Sequence, residues 1–224
     1  MEPRIQCAKT KDGVSIALRS GDSVRNHVVF RVILSMLYIP YWFARLYYMR
    51  RGVASGERVS RTRPDRLRIA LISSLSLAGA VVGFLYVFAP RRIRWTTLPT
   101  PTWSRWIGVA LGVVAMPLFI WTHHALGKNW SADLVIKEEH TLITSGPFRW
   151  VRHPMYTSLF GSSLAFSLLS SNWVIGLSGL GTSILLASRV HKEEALMIEE
   201  FGDQYRAYMQ RTGRFLPPMK LKRI

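Results

Sequence analysis

Two polar strings in this chain carry side chains that can do chemistry. Arg152-His153-Pro154-Met155-Tyr156 closes one, and Arg189-Val190-His191-Lys192-Glu193-Glu194 opens the other. Between them Pro154 to Ser188 runs for 35 residues without a charge. As one helix that run would measure about 50 Å, well beyond a hydrocarbon core of about 30 Å, so it folds back on itself. Ser170-Ser171-Asn172 is the polar cluster near its middle, which predicts two short helices, about 155–169 and 173–188, joined by a tight turn. A hairpin brings its two ends together. Arg152, His153, Arg189, Glu193 and Glu194 then meet at one mouth, and ionisable groups facing each other at a membrane boundary mark a candidate site. Arg189 and Glu193, at i and i+4, share a helix face. A guanidinium fork there suits a carboxylate, and a carboxylate suits a cationic group.

Each of these residues also has a plainer reading. His153 before Pro154 can simply cap a helix that carries proline in its first turn. Glu193 and Glu194 read by spacing alone as an ordinary solvated helix start, and Arg189 at a span boundary as a headgroup anchor. Tyr205 and Tyr208 read as packing. Adjacent histidines such as His123-His124 do not share a helix face, so no metal site is expected.

The elements that position these strings are membrane helices. Of the 224 residues, 49% are hydrophobic and 19% charged, and the apolar residues lie in long uncharged runs. Ile69 to Ala89 and Trp106 to Leu126 each hold 21 consecutive uncharged residues, enough to span a bilayer. Val28 to Met49 is a weaker span because it includes Arg31, Pro40 and Arg45. Both arginines stand near its ends, from which they can snorkel, and Tyr38, Tyr41, Trp42, Tyr47 and Tyr48 are interfacial types. After Ser188 the pattern becomes amphipathic, with Met197, Phe201, Tyr205 and Tyr208 on one face and Glu194, Glu199, Asp203 and Arg206 largely elsewhere. Gly213, Pro217 and Pro218 end that helix before a basic tail.

The formal charge of +17 suggests nucleic acid only for a soluble domain. Here the basic residues flank apolar runs, where they set topology and attract anionic membrane lipids, so no nucleic-acid partner is expected. Segments 50–68, 127–153 and 189–224 hold 19 Lys and Arg, against 9 in segments 1–27 and 90–105. The first set is therefore expected in the cytoplasm and the N-terminus outside. The first 27 residues are polar and show no cleavable signal pattern. Cys7 is the lone cysteine, which excludes an internal disulfide or a thiolate cluster within one chain. The expected fold is all-α and integral to the membrane: five transmembrane segments, a C-terminal helical hairpin and a cytoplasmic amphipathic helix. Its parts are a polar segment 1–27, three transmembrane helices over 28–126, and a cofactor-binding region over 127–224.

The string from His140 to Tyr156, with its Gly146-Pro147-Phe148 turn and Arg152-His153-Pro154-Met155-Tyr156, closely resembles the C-terminal signature of the isoprenylcysteine carboxyl methyltransferase and related phospholipid methyltransferase families. Arg189 and Glu193-Glu194 complete it, and the resemblance covers roughly residues 126 to 218. The resemblance implies S-adenosylmethionine as cofactor, with His140, Thr141, Leu142 and Ile143 at its adenosine end, then Phe148, His153, Pro154, Met155 and Tyr156, and Glu193 in the same site. It implies that Arg189 orients a lipophilic methyl acceptor, with a prenylcysteine carboxylate one candidate. Phe148 stands where the family often has tyrosine, which removes a hydroxyl but keeps an aromatic surface. Family members that share this site methylate carboxylates, lipid amines or small thiols, so the motif leaves the acceptor open. A membrane reductase of the sterol type, using a reduced nicotinamide cofactor, and a non-catalytic scaffold are the rival readings.

Overall fold

The computed structural model describes residues 13–54, 66–127 and 141–218, with the side chains of 13–26 and 51–54 excepted. The arginine-rich stretch 55–65, His140 and the last six residues lie outside the described residues. Six α-helices follow in order: α1 (Gly13–Ala54), α2 (Arg66–Phe88), α3 (Thr102–Leu126), α4 (Pro154–Ser170), α5 (Trp173–Ala187) and α6 (Val190–Arg211). α1 begins well before the apolar run, so its helix reaches back into the polar N-terminal segment.

Among the described residues, four stretches are long and apolar enough to cross a membrane: His27–Arg50, Arg66–Phe88, Thr102–Leu126 and Trp173–Arg211. The last joins α5 to α6, and its apolar part is α5. α4, at 17 residues, is about 25 Å long and just short of a full hydrocarbon width. The chain is a helical, multi-pass integral membrane protein.

The hairpin turn falls where the polar cluster stands. Ser171 takes a left-handed conformation (φ 52°), and the Asn172 side chain caps α5 by accepting from the amides of Val174 and Ile175 at 3.0 and 3.2 Å. The turn is tied to the α2–α3 connection: Leu98 N donates to Ser171 O at 2.6 Å, and Asn172 Nδ2 donates to Thr96 Oγ1 at 2.5 Å. Asn172 is buried there.

Facing residues fix the helix directions. Ser167 meets Gly176 and Ser163 meets Gly179 and Ser183, so α4 and α5 are antiparallel. Gly108 meets Ala165 and Leu169 while Gly161 meets Ala115, so α3 and α4 are antiparallel too. α2 runs against α5 by the pairs Gly79 with Ser178 and Leu75 with Gly181. Phe30 with Trp106, Tyr41 with Phe119 and Tyr48 with His123 climb together, so α1 and α3 are parallel. Direction therefore alternates from α1 to α5. One end of the bundle gathers the end of α3, the start of α4, the end of α5 and the start of α6. The core between is aromatic, with Tyr41 5.3 Å from both Phe119 and Phe166 and Tyr38 5.0 Å from Phe166.

Two helices approach closely at Gly108, where a Cβ would stand 2.8 Å from Leu169 N and 2.9 Å from Ala165 O. At Gly112 the obstacle is the movable end of the Leu37 side chain. Gly108→Ala must push α3 from α4 and is expected to cost about 1–3 kcal/mol, whereas Gly112→Ala should be nearly neutral. Apparent melting temperatures of the two purified variants in detergent check this ordering.

Candidate functional site at the hairpin mouth

Pro147 starts a short 3₁₀ turn, Gly146–Arg149, and Pro154 opens α4, so the intervening residues are held between two stiff turns. They form a short parallel bridge with the segment after α6: Arg152 N donates to Gly213 O at 2.8 Å, His153 N to Arg214 O at 3.0 Å, and Gly213 N to Trp150 O at 3.2 Å. Thr157 Oγ1 adds a bond to Phe215 O at 2.7 Å. Residues 212–215 thus form a strap across the mouth.

At the centre lies Glu194. The sequence pattern puts it largely away from the apolar face of α6, but it stands on the buried face with Val190, Tyr205 and Tyr208, at 4% exposure. Its side chain pairs with Arg152 Nε at 2.9 Å and Arg214 Nη2 at 2.6 Å, and accepts from His153 Nε2 at 3.3 Å. Burial alone would raise this carboxyl. Hydrogen bonds from His153, Arg214 and Arg152, with the Arg152 charge, outweigh burial and hold it well below the ordinary carboxylate range. Arg152 also donates to Met209 O at 3.0 Å and to Thr212 O, closing the C-terminal end of α6.

Glu193 faces the other way along the mouth. Its carboxylate accepts from Tyr156 Oη at 2.5 Å and lies 3.8 Å from Arg189 Nε and 3.7 Å from His153 Nδ1. With Nε2–H given to Glu194, His153 turns Nδ1 toward Glu193 without reaching it. His153 and Glu193 side chains are 11% and 22% exposed, so this rim is reachable while Glu194 is not.

The structure thus brings His153, Tyr156, Arg189 and Glu193 together. Phe148 is buried, and its carbonyl accepts from Tyr208 Oη at 2.6 Å. Pro154 is buried at the first turn of α4, and Met155 is partly buried against the core. Thr141 is exposed and Leu142 and Ile143 are half-buried in non-helical backbone; His140 lies outside the described residues. Arg214 is the residue that sequence reading missed. It sits in the basic tail after Gly213, and nothing in local periodicity links it to a carboxylate 20 positions earlier.

Removing the charge of Glu194 should be costly, because it strands two cations. Glu194→Gln is expected to lose about 3–5 kcal/mol, while Arg214→Ala, whose side chain is 37% exposed, should lose only about 1 kcal/mol. Both losses should appear as lowered melting temperatures and faster tryptic cleavage of the strap, and equal losses would contradict the assignment of Glu194 as the hub.

Comparison with known proteins fits this geometry. The model of the isoprenylcysteine carboxyl methyltransferase (ICMT) family matches residues 107–199, from within α3 to within α6. Human protein-S-isoprenylcysteine O-methyltransferase is 30% identical over 152 residues, 66% of this chain and 53% of that protein. The Schizosaccharomyces pombe protein of the same name is 33% identical over 97 residues, 41% of this chain and 40% of that protein. The chain spans about half the length of the curated relatives it matches. The solved structure of the eukaryotic intramembrane Ras methyltransferase ICMT aligns over 83% of this chain and 67% of that one, with a TM-score of 0.50 and 20% identity. The family match thus covers both sides of the hairpin mouth, and the solved structure shares the helical membrane fold.

Proposed function

We propose that this protein is an integral-membrane methyltransferase that takes its methyl group from S-adenosylmethionine and gives it to a lipophilic carboxylate. The convergence of His153, Tyr156, Arg189 and Glu193 at the rim of the hairpin mouth carries the reading. Prenylcysteine, which the relatives' names give for those proteins, is the acceptor of this class carried over to this chain.

The donor set suits the cofactor. Its ammonium calls for an anion, which Glu193 provides at a partly exposed position, and its adenosine calls for apolar and aromatic walls, which Ile143, Met155 and Tyr156 can give. His140 to Ile143, Phe148 and Pro154 belong to the same proposed cofactor segment. When bound, S-adenosylmethionine supplies an electrophilic methyl group on a sulfonium. The protein's task is then positioning and exclusion of water, because a carboxylate acceptor is already an anion and needs no general base. Arg189 holds one acceptor oxygen and leaves the other free to attack, while Glu193 limits how strongly that guanidinium can bind. Arg189→Lys is expected to bind S-adenosylmethionine within about twofold of the parent but to lose at least roughly tenfold in turnover. The assay follows radiolabelled methyl transfer from S-adenosylmethionine to a prenylcysteine in detergent, with release of the label as methanol by base marking an ester. Retained turnover would make Arg189 a headgroup anchor, and a base-stable product would move the acceptor to an amine or thiol.

The alternating helix directions support five crossings, with α4 and α5 as the short ones. The mouth and α6 then face the cytoplasm, the side favoured by the Lys and Arg count, and the N-terminus faces outward. A cysteine introduced at the exposed Leu98, beside the 170–172 turn, should be labelled by an impermeant maleimide from outside, and a C-terminal reporter should be cytoplasmic. Labelling of that cysteine from the cytoplasm alone would invert the topology.

A further inference from the structure

The end of the bundle opposite the mouth gathers a second set of polar groups. Arg105, near the start of α3, is 5% exposed and donates to Leu169 O at 3.0 Å, Tyr86 Oη at 2.9 Å and His27 Nδ1 at 3.4 Å. Arg31 stands one turn after His27 on the same side of α1 and acts electrostatically on the Tyr86 hydroxyl. Three helices thus bring two guanidinium groups and an imidazole around one phenol. Just beyond Tyr86, the 3₁₀ turn Pro90–Thr96 buries Ile93 and exposes Arg91, Arg92 and Arg94.

Among the described residues this cluster has no counter-charge. Every carboxylate whose side chain is described stands on α6, and none of them pairs with Arg31 or Arg105. Its donors are also unspent. The Arg105 guanidinium has more N–H groups than its three bonds use. Tyr86 Oη accepts from Arg105, and among the described residues nothing accepts its own proton. His27 accepts through Nδ1, so it carries its proton on Nε2, at an exposed position. A buried cation without an anion is costly, and a group that brings negative charge and acceptors alone meets all of these needs.

Depth in the membrane identifies the source of that anion. Trp95, Trp103, Trp106 and Trp173 are exposed around this end. Trp106 meets Phe30 edge-on at 5.3 Å, and the Arg105 guanidinium lies 4.2 Å from the centre of the same Phe30 ring. Exposed tryptophans at the end of a membrane bundle mark the headgroup layer. We infer that His27, Arg31, Tyr86 and Arg105 form a site for the phosphate of one anionic phospholipid, in the headgroup layer opposite the mouth. A zwitterionic lipid would bring its own cation into a cluster that is already positive, so the site selects a headgroup of net negative charge. Because Arg105 also holds the last turn of α4 through Leu169 O, the bound lipid braces the hairpin from its closed end.

The test is native mass spectrometry of the purified full chain released from a neutral detergent, titrated with dioleoyl phosphatidylglycerol or dioleoyl phosphatidylcholine. A single phosphatidylglycerol should be retained per chain, at least roughly tenfold more tightly than phosphatidylcholine. Arg31→Gln and Tyr86→Phe, which keep Arg105 and its bond to Leu169 O, should each weaken that binding by about fivefold or more. Arg66→Gln, which removes an exposed charge at the other end of α2, should leave it unchanged. Equal affinity for the two lipids, a preference that survives in both site variants, or an equal loss in Arg66→Gln would overturn the inference. Displacement of phosphatidylglycerol by millimolar inorganic phosphate would overturn it too, by making the occupant a soluble anion rather than a lipid.

Discussion

The ion cluster around Glu194 is the constraint on which the mouth depends. A carboxylate at 4% exposure is tolerable only because Arg152, Arg214 and His153 all reach it. Those partners come from two places in the chain, the segment before α4 and the strap after α6, while Glu194 itself stands on α6. Satisfying one charge therefore fixes the relative positions of all three. His153 is oriented through Nε2 by Glu194, which leaves its other nitrogen and the Glu193 carboxylate at the rim. The two adjacent glutamates thus divide the labour, one buried and holding the frame, the other partly exposed and available to a ligand.

A second buried arginine works at the opposite end of the same hairpin. Arg105 of α3, 5% exposed, donates to Leu169 O at 3.0 Å and to Tyr86 Oη at 2.9 Å, and its guanidinium lies 4.2 Å from the centre of the Phe30 ring. It closes the C-terminal end of α4 as Arg152 closes that of α6, and a cation suits each helix terminus. Between the two ends the helices pack through small residues, with Gly108, Gly161, Gly176 and Gly179 each against a neighbouring chain segment. The arms are therefore held close, and a cavity lined by Tyr38, Trp42 and Arg45 lies between them and α1 and α2.

Much of this was legible in the sequence. The 35-residue uncharged run was too long for one crossing, and Asn172 sits where a turn and a helix cap are both needed, so the hairpin and its mouth followed from length and polarity. The alternation of the helices followed from the spacing of uncharged runs. The face of Glu194 did not. Periodicity assigns a carboxylate to water, and its partners lie 42 positions before and 20 after, so only the folded chain brings them within reach. The extension of α1 back to Gly13 escaped for a related reason, because a polar helix has no apolar run to mark it. The motif from Arg152 to Tyr156 pointed to His153, Tyr156, Glu193 and Arg189, which converge. It gave no sign that Trp42 of α1 and Thr182 of α5 line one cavity.

The central claim is that the rim around Glu193 and His153 holds the methyl donor. Calorimetric titration of the purified protein in detergent with S-adenosylmethionine, and separately with reduced nicotinamide adenine dinucleotide phosphate, tests it most directly. Saturable one-to-one binding of S-adenosylmethionine, weakened about tenfold or more in Glu193→Gln, with no binding of the nicotinamide, is the predicted result. Binding of the nicotinamide instead, or S-adenosylmethionine binding that ignores the charge of Glu193 in a folded variant, would contradict the account.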